Sequence, residues 1–533
     1  MFKKNALWLA VAASAMLVVT ACSNDPEQAE NPSDEAENSA SGAELTIDLS
    51  SDPVSLDPHG ANDGNSLYVM GTLYNKLIEF DENNEIQPSL ATSLEQIEDD
   101  VWEAKLREDV TFHDGSEFNA EVVKANLDRV RDPDLGSPVA FLFDKITDVE
   151  VIDEYTVHIH TDGPFSPLPS HLAHPAGGMI SKEAIDADYE AIENGEPAFS
   201  YVDAHPIGTG FFELDSRTSG ESVSVTRNED YWDKDNLAKA SGITFKTVPE
   251  EATRIAELQG DVADIIYPVN PSSISEIESA ENTTVKQSPS SNLTYLGFNT
   301  EVEPFTDKRV RQAISMAIDK DSIINGLLDG VAEPAIGPLA PTVTGYSQNI
   351  DTFEYDQEEA RQLLEEAGYE DGFDATLTVN SSTASLVDLA TYLQAQLEEI
   401  GINVSINPVE SATYLEMTGD GETEMFIGTW GTVTVDADYG LYPMFHSSNF
   451  GAPGNRTFFA NEQLDDLLEQ ARKETDEQKR LALYEEAQNV LAEEAPVVNL
   501  YHSVLLAGMG DDIEGFWQYP ASIFYLRDTE KIE

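Results

Sequence analysis

Apolar and polar positions along the chain switch repeatedly between a period of two residues and a period near 3.6. Leu45-Thr46-Ile47-Asp48-Leu49 alternates, as does Tyr155-Thr156-Val157-His158-Ile159-His160, and such alternation predicts half-buried strands. Between 120 and 130, Val122, Val123, Leu127 and Val130 share one helical face, with Asn119 in position to cap it. Val310, Ala313, Ile314, Ala317 and Ile318 recur at helical spacing across 307–319. Further helices are predicted over 358–367, 386–400, 464–472 and 477–494; Gly368 and Gly401 close the first two, and the last stops before Pro496. The strand 402–406 follows Gly401 directly. Helix–glycine–strand units of this kind indicate an α/β lobe with a mixed or parallel sheet in the C-terminal half, whereas strand-rich stretches around 85–110 and 205–250 look more α+β. The expected body therefore has at least two lobes of mixed α/β and α+β class. No repeat of 20–50 residues is visible, which argues against a solenoid or propeller.

The first 43 residues follow a different pattern. Lys3 and Lys4 precede an apolar run over 6–19, which reads as a secretory signal peptide spanning 1–21. Val19-Thr20-Ala21-Cys22 places an apolar residue and two small ones before a cysteine, the pattern of lipoprotein cleavage, so the mature chain is expected to start at a lipidated Cys22. Residues 22–43 are rich in Ser, Asn, Ala, Pro and acids, lack any base, and read as a disordered acidic tether. Cys22 is the single cysteine, so no internal disulfide exists. No later segment approaches the ~18–20 continuous apolar residues of a membrane span. The expectation is a soluble body outside the cell membrane, anchored to its outer face by the Cys22 lipid.

Charge narrows the partners. The 533 residues carry 100 Asp+Glu against 29 Lys+Arg, a formal net charge of −71, and this excess repels nucleic acid and anionic headgroups. It reads as adaptation to salty or alkaline surroundings. Signatures of catalysis are mostly missing: there is no G-x-S-x-G, G-x-x-x-x-G-K-[ST], H-E-x-x-H or C-x-x-C. His158 with His160, and His171 with His174, lack a third ligand at metal-site spacing and read as structural or surface residues. Asp436-Ala437-Asp438-Tyr439-Gly440 begins like a calcium loop but puts Gly440 and Leu441 at ligand positions, so it is rejected. No metal or cofactor is expected. A two-carboxylate glycosidase stays open, since among 100 acids any pair proves nothing.

One segment stands apart, Met425-Phe426-Ile427-Gly428-Thr429-Trp430-Gly431-Thr432-Val433-Thr434-Val435-Asp436-Ala437-Asp438-Tyr439. An apolar strand runs into a tryptophan flanked by glycines, then into a small-residue loop ending in two acids. Trp430 can present its ring face to a ligand, and an acid six residues on can receive a cation. A surface turn with a core tryptophan is the other reading of the same residues.

Further motifs stand in order along the chain: Ser55-Leu56-Asp57-Pro58-His59, Leu106-Arg107-Glu108-Asp109-Val110-Thr111-Phe112-His113-Asp114-Gly115, Pro206-Ile207-Gly208-Thr209-Gly210, Arg309-Val310-Arg311-Gln312-Ala313 and Leu363-Leu364-Glu365-Glu366-Ala367-Gly368-Tyr369. With the Trp430 segment, they resemble the extracytoplasmic solute-binding proteins of family 5, receptors of ATP-driven importers for dipeptides, oligopeptides, glutathione and chelated nickel. Val123-Lys124-Ala125-Asn126-Leu127-Asp128-Arg129, Leu172-Ala173-His174-Pro175-Ala176 and Gly515-Phe516-Trp517 carry a nearer likeness to the glutathione-binding subgroup.

The resemblance implies a bilobal clamp of the periplasmic-binding-protein type, with lobe one from 44–290 plus 505–533, an added subdomain near 81–204, and lobe two from 291–504. It implies a monomeric ABC-importer receptor that captures a small peptide, glutathione or a relative, and delivers it to permease subunits. The resemblance places the ligand's amino group on Asp436 and makes Trp430 a cleft wall, with Thr432, Thr434, Asp438, His59, Asn62 and Ser381 also at the ligand. The loop 379–385, where dipeptide-type relatives carry an arginine for the ligand carboxylate, has no base here, so Arg456 is the substitute anchor. The region 137–143, where nickel-chelate members carry an arginine, has none either. A secreted hydrolase and a sensory receptor of the same fold are the alternatives from other classes. If the acidity answers to salt, the melting temperature rises from dilute buffer to molar NaCl as self-repulsion is screened, and a flat or falling curve would remove that reading.

Overall fold

The structure, a computed structural model, describes residues 42–532. The expected signal peptide, the lipidated Cys22 and nearly all of the tether lie outside the described residues. The first element of the described residues is Glu44–Leu49, where Leu45, Ile47 and Leu49 are each at most 1% exposed. Alternation predicted a solvated opposite face, but the strand lies between two parallel partners, Gly242–Thr247 and Ile265–Tyr267. The helix Glu251–Gln259 brings Glu257 and Arg254 to that face, and Asp48 is fully buried. Burial, reinforced by Glu257, pushes its carboxyl up to about 7.

These strands belong to one sheet of eleven that runs through the whole body. Its centre is two long antiparallel strands, Thr283–Phe298 and Val497–Gly510, whose pairing is irregular between Pro289 and Leu293 and again at Thr294 and Tyr295. On one side the sheet continues through Met425–Gly431, Phe373–Asn380 and Ile402–Val409, on the other through Ile265–Tyr267, Glu44–Leu49, Gly242–Thr247, Ser222–Arg227 and Phe212–Thr218. The helix–glycine–strand units anticipated in the C-terminal half are present: Gly368 and Gly401 follow their helices at φ +93° and +87°, a conformation that costs an L side chain but not glycine. The helix expected across 307–319 is Lys308–Ala317, capped by Asp307; Asp319 accepts from the Ser322 N–H and caps the next helix, Lys320–Leu327.

A separate four-stranded antiparallel sheet, Ala91–Glu98, Val101–Leu106, Thr156–Thr161 and Ile146–Asp153, packs beneath the helix Ala120–Val130. Asn119 caps that helix as predicted, accepting from the Glu121 and Val122 N–H groups at 3.0 and 3.2 Å. Its apolar face is the predicted one, with Val122, Val123, Leu127 and Val130 all buried.

The same helix carries Arg129, which is fully buried and donates to Asp57 at 2.6 and 3.1 Å and to Asp188 at 2.7 Å. Burial alone would depress the guanidinium, but the two carboxylates drive it upward. His59 accepts from Arg129 at 3.0 Å through Nδ1, and burial with the neighbouring guanidinium holds this imidazole neutral. His59, expected at the ligand, is thus a member of an internal ion-pair cluster joining the 55–60 loop to two helices.

In the C-terminal half, Glu462–Lys473 and Glu477–Glu494 bury Leu464, Leu467, Leu468 and Ala471, and Tyr484, Ala487 and Leu491, against the helix Ala437–Phe445. These two helices bring arginines to the Trp430 segment. Among the described residues, no helix is long and apolar enough to cross a membrane.

Candidate functional site

The strand Met425–Gly431 pairs along its whole length with Thr283–Phe298, and at Met425 and Phe426 also with Phe373–Asn380, so Trp430 is held by one ladder up to Gly431. Beyond Gly431 the chain makes a tight corner through Val435, a β-branched residue at φ +53°, which costs of order 1–3 kcal/mol. The corner is pinned from both sides: Val435 N–H donates to Thr432 O, Thr344 N–H to Val435 O, and Ala437 N–H to Thr344 O. Asp436 then caps the helix Ala437–Phe445 by accepting from the Asp438 N–H at 2.9 Å.

Both acids at this corner are matched by arginines. Arg480 donates to Asp436 through Nη2 at 2.6 Å and Nη1 at 2.9 Å, a bidentate pair buried on both sides. Arg472 lies 2.8 Å from Asp438 Oδ1 through Nε and donates to Oδ2 at 3.1 Å. The Nε contact lacks hydrogen-bond geometry, so Asp438 Oδ1 is a buried acceptor without a donor. Burial by itself would lower both guanidiniums, yet Asp436 and Asp438 hold them above their usual range.

A cavity of about 480 Å³ opens beside this corner, between the four-stranded subdomain and the C-terminal half. Its second-half wall is Trp430, Asp438, Tyr439, Tyr442 and Arg472; the facing wall includes Phe141, Lys145 and His171. Trp430 and Tyr439 stack at 5.4 Å, and Trp430 Nε1 donates to the Tyr439 carbonyl at 3.1 Å, which fixes the ring. His171 donates from Nδ1 to the Leu142 carbonyl at 2.7 Å, since that oxygen only accepts; its Nε2 is therefore a bare acceptor. Burial lowers this histidine more than the nearby Asp438 raises it, so the ring is neutral. A second cavity, about 440 Å³, lies on the other side of the corner against Asp436, Arg480, Trp102 and Ser166. The walls touch where Ser166 N–H and Oγ donate to the Arg472 carbonyl at 2.9 and 3.0 Å, where Phe141 stacks on Tyr439 at 5.8 Å, and where the Arg472 guanidinium sits 5.3 Å over Phe165. The larger cavity combines the rings of Phe141, Trp430, Tyr439 and Tyr442 with charged and polar groups, and the smaller is lined mainly by polar side chains; spaces of this size suit a small organic ligand.

The comparisons with known proteins agree on what kind of molecule this is. A family model for bacterial extracellular solute-binding proteins, family 5 Middle, matches residues 85–452. The chain belongs to the family 5 extracellular solute-binding proteins. It is 33% identical over 494 residues to the glutathione-binding protein GsiB of Shigella dysenteriae serotype 1, covering 91% of this chain and 94% of that one. HbpA2 from Haemophilus parasuis superposes with a TM-score of 0.82 at 28% identity, over 92% of this chain and 100% of that chain. DppA from Helicobacter pylori, solved with the peptide STSA, gives 0.77 at 28% identity, over 92% and 98%. The fold is accordingly the bilobal mixed α/β clamp of periplasmic binding proteins. Members of family 5 are extracytoplasmic substrate-binding proteins of ABC transporters.

In this family 5 chain the residues singled out from sequence do not all meet at one place. Trp430 and Asp438 line the larger cavity and Asp436 the smaller. Thr432 and Thr434 are buried beneath the corner, Thr434 with its hydroxyl unpartnered. Asn62 is exposed beside a helix cap, and Ser381 is exposed in its loop, its N–H given to Val409. Arg456 donates to the Leu415 carbonyl at 2.8 Å and to Thr418, and lines neither cavity, so it is not placed to hold a ligand carboxylate. Asp436 does not stand free for a ligand ammonium, because Arg480 already occupies both of its oxygens. Sequence reading missed Arg472 and Arg480; the available signal was Arg472 lying four residues after Leu468 on a buried helical face. His158 and His160 face Glu103 and Glu150, and among the described residues no group of three metal-ligating side chains assembles.

Asp436→Asn removes the charge opposite a buried arginine, a change that typically costs about 3–5 kcal/mol. In a double-mutant cycle with Arg480→Gln by urea unfolding, the two changes together should cost clearly less than their sum. Additivity within about 0.5 kcal/mol would show that the pair is not what holds the corner.

Proposed function

We propose that this protein is the lipid-anchored receptor of an ABC importer that captures glutathione or a closely related short peptide between its lobes and hands it to the permease. The observation that carries the reading is the 480 Å³ cavity walled by the Trp430–Tyr439 stack on one side and His171 on the other. The relative named a glutathione-binding protein, alike over 91% of this chain, supports the choice of glutathione. The ligand ammonium goes to the unspent oxygen of Asp438, and a ligand N–H or thiol goes to His171 Nε2. Asp436 acts as a positioning residue that holds the corner through Arg480.

The boundary between the lobes falls at 290–291 and 504–505. The irregular pairing between Pro289 and Leu293, followed by a second irregularity at Thr294 and Tyr295, supports a hinge there. The receptor works as a monomer, lipid-anchored through Cys22 at the outer face of the membrane, and its ligand leaves chemically unchanged.

A second reading, a receptor for longer peptides, is favoured by the adjoining 440 Å³ cavity, which would take residues beyond a tripeptide. Calorimetry with glutathione, a dipeptide, a tetrapeptide and N-acetylated glutathione separates the two. Glutathione should bind most tightly, acetylation should weaken it by at least about tenfold, and the recovered ligand should keep its mass. A tetrapeptide preference would move the assignment to the second reading. Equal binding of the acetylated form, or no binding of any peptide, would overturn both.

A further inference from the structure

We propose that Lys145, on the subdomain wall of the larger cavity, receives a carboxylate of the bound ligand. Lys145 follows the short turn Ala140–Phe143 and opens the strand Ile146–Asp153, so its backbone is fixed from both sides. It faces the Trp430 wall across the cavity, in company with His171 and Phe141.

What marks this residue is that its ammonium makes no bond. Among the described residues, every arginine donates to a carbonyl, carboxylate or side-chain oxygen. Every lysine does likewise or forms an ion pair, except Lys76 and Lys145. Lys76 borders an enclosed space of about 30 Å³, room for a water and no more. With 100 acids against 29 bases in the chain, a lysine without a carboxylate partner stands out. Even the adjacent Asp144, at the exposed rim of the same cavity, makes no ion pair with it.

The opposite wall explains why an anion is wanted. Arg472 and Arg480 are each committed to an acid of the corner, Asp438 and Asp436, so neither is free to take a ligand carboxylate. No other base is on offer: the loop 379–385 has none, and Arg456 is turned to Leu415. A peptide brings at least one carboxylate and, in a closed cleft, that group must find a cation or pay for its desolvation. Lys145 is the unengaged cation within the cavity. A lysine rather than an arginine also suits a ligand whose carboxylate varies in direction, since an ammonium is a point charge without the bidentate fork.

The inference rests on the peptide reading above, and its test keeps the two apart. Calorimetry compares wild type, Lys145→Met and Lys145→Arg with glutathione and with its two monoamides, one at each carboxylate. Lys145→Met should weaken glutathione about tenfold or more, Lys145→Arg should largely retain it, and one monoamide should bind both wild type and Lys145→Met equally weakly. Melting temperatures should be unchanged, because the side chain holds nothing in the free protein. Glutathione affinity unchanged by Lys145→Met would overturn the proposal while leaving the peptide reading intact. If wild type binds no peptide, mass spectrometry of co-purified small molecules decides instead: an anion carried by wild type and lost from Lys145→Met supports Lys145, and a neutral or cationic molecule carried by both overturns it.

Discussion

The pairing of Asp436 with Arg480 is the interaction on which the corner between the two cavities depends. A carboxylate at the start of a helix is favoured by the helix N–H groups, but here it is also buried next to a second acid. Two unmatched carboxylates in such a place would repel each other and the corner would not form. Arg480 and Arg472, from two helices packed on the far side, supply both counter-charges and thereby fix the distance between those helices and the Trp430 strand. The strained backbone at Val435 is tolerated for the same reason, since hydrogen bonds to Thr344 and Thr432 and the ion pair beyond it leave the chain no alternative path.

This arrangement changes what the acids at the corner can do. A carboxylate already engaged by a bidentate guanidinium offers little to an arriving ammonium. Asp438, whose Arg472 contact is less well aligned, keeps one oxygen in reserve. On the function proposed above, selectivity rests on the groups that remain unspent: that oxygen, His171 Nε2 and Lys145 Nζ. All three face one cavity from two walls. The walls meet through two hydrogen bonds from Ser166, a ring stack and a guanidinium over a ring, contacts that can be made and broken as a unit without exposing a hydrophobic core. A ligand that bridges both walls favours their closed arrangement by its differential affinity for it.

Much of the local structure was legible in the sequence, because it follows from short-range rules. Asn119 capping, the apolar face of 120–130, and Gly368 and Gly401 as helix ends all depend on residues within one or two turns. The family was legible from motif order. What escaped was long-range. The burial of Asp48 comes from a helix two hundred residues away covering a strand that alternates as if half solvated. His59 stands in the Ser55–His59 motif, but its partner Arg129 is 70 residues on, and only the fold reveals that the motif serves an internal ion pair. Asp436 was read as a ligand anchor from the resemblance, as the acid six residues after Trp430; its partner Arg480 stands 44 residues further along. Arg456 was chosen by elimination, and only the fold shows that its guanidinium is turned to the Leu415 carbonyl and Thr418.

A crystal structure of the protein with glutathione bound is the most direct test of this account. The account predicts the ligand in the larger cavity between the Trp430–Tyr439 stack and His171, one carboxylate within hydrogen-bond reach of Lys145 Nζ, and the Asp436–Arg480 pair undisturbed. A ligand whose amino group sits on Asp436, with Arg480 displaced, would contradict it.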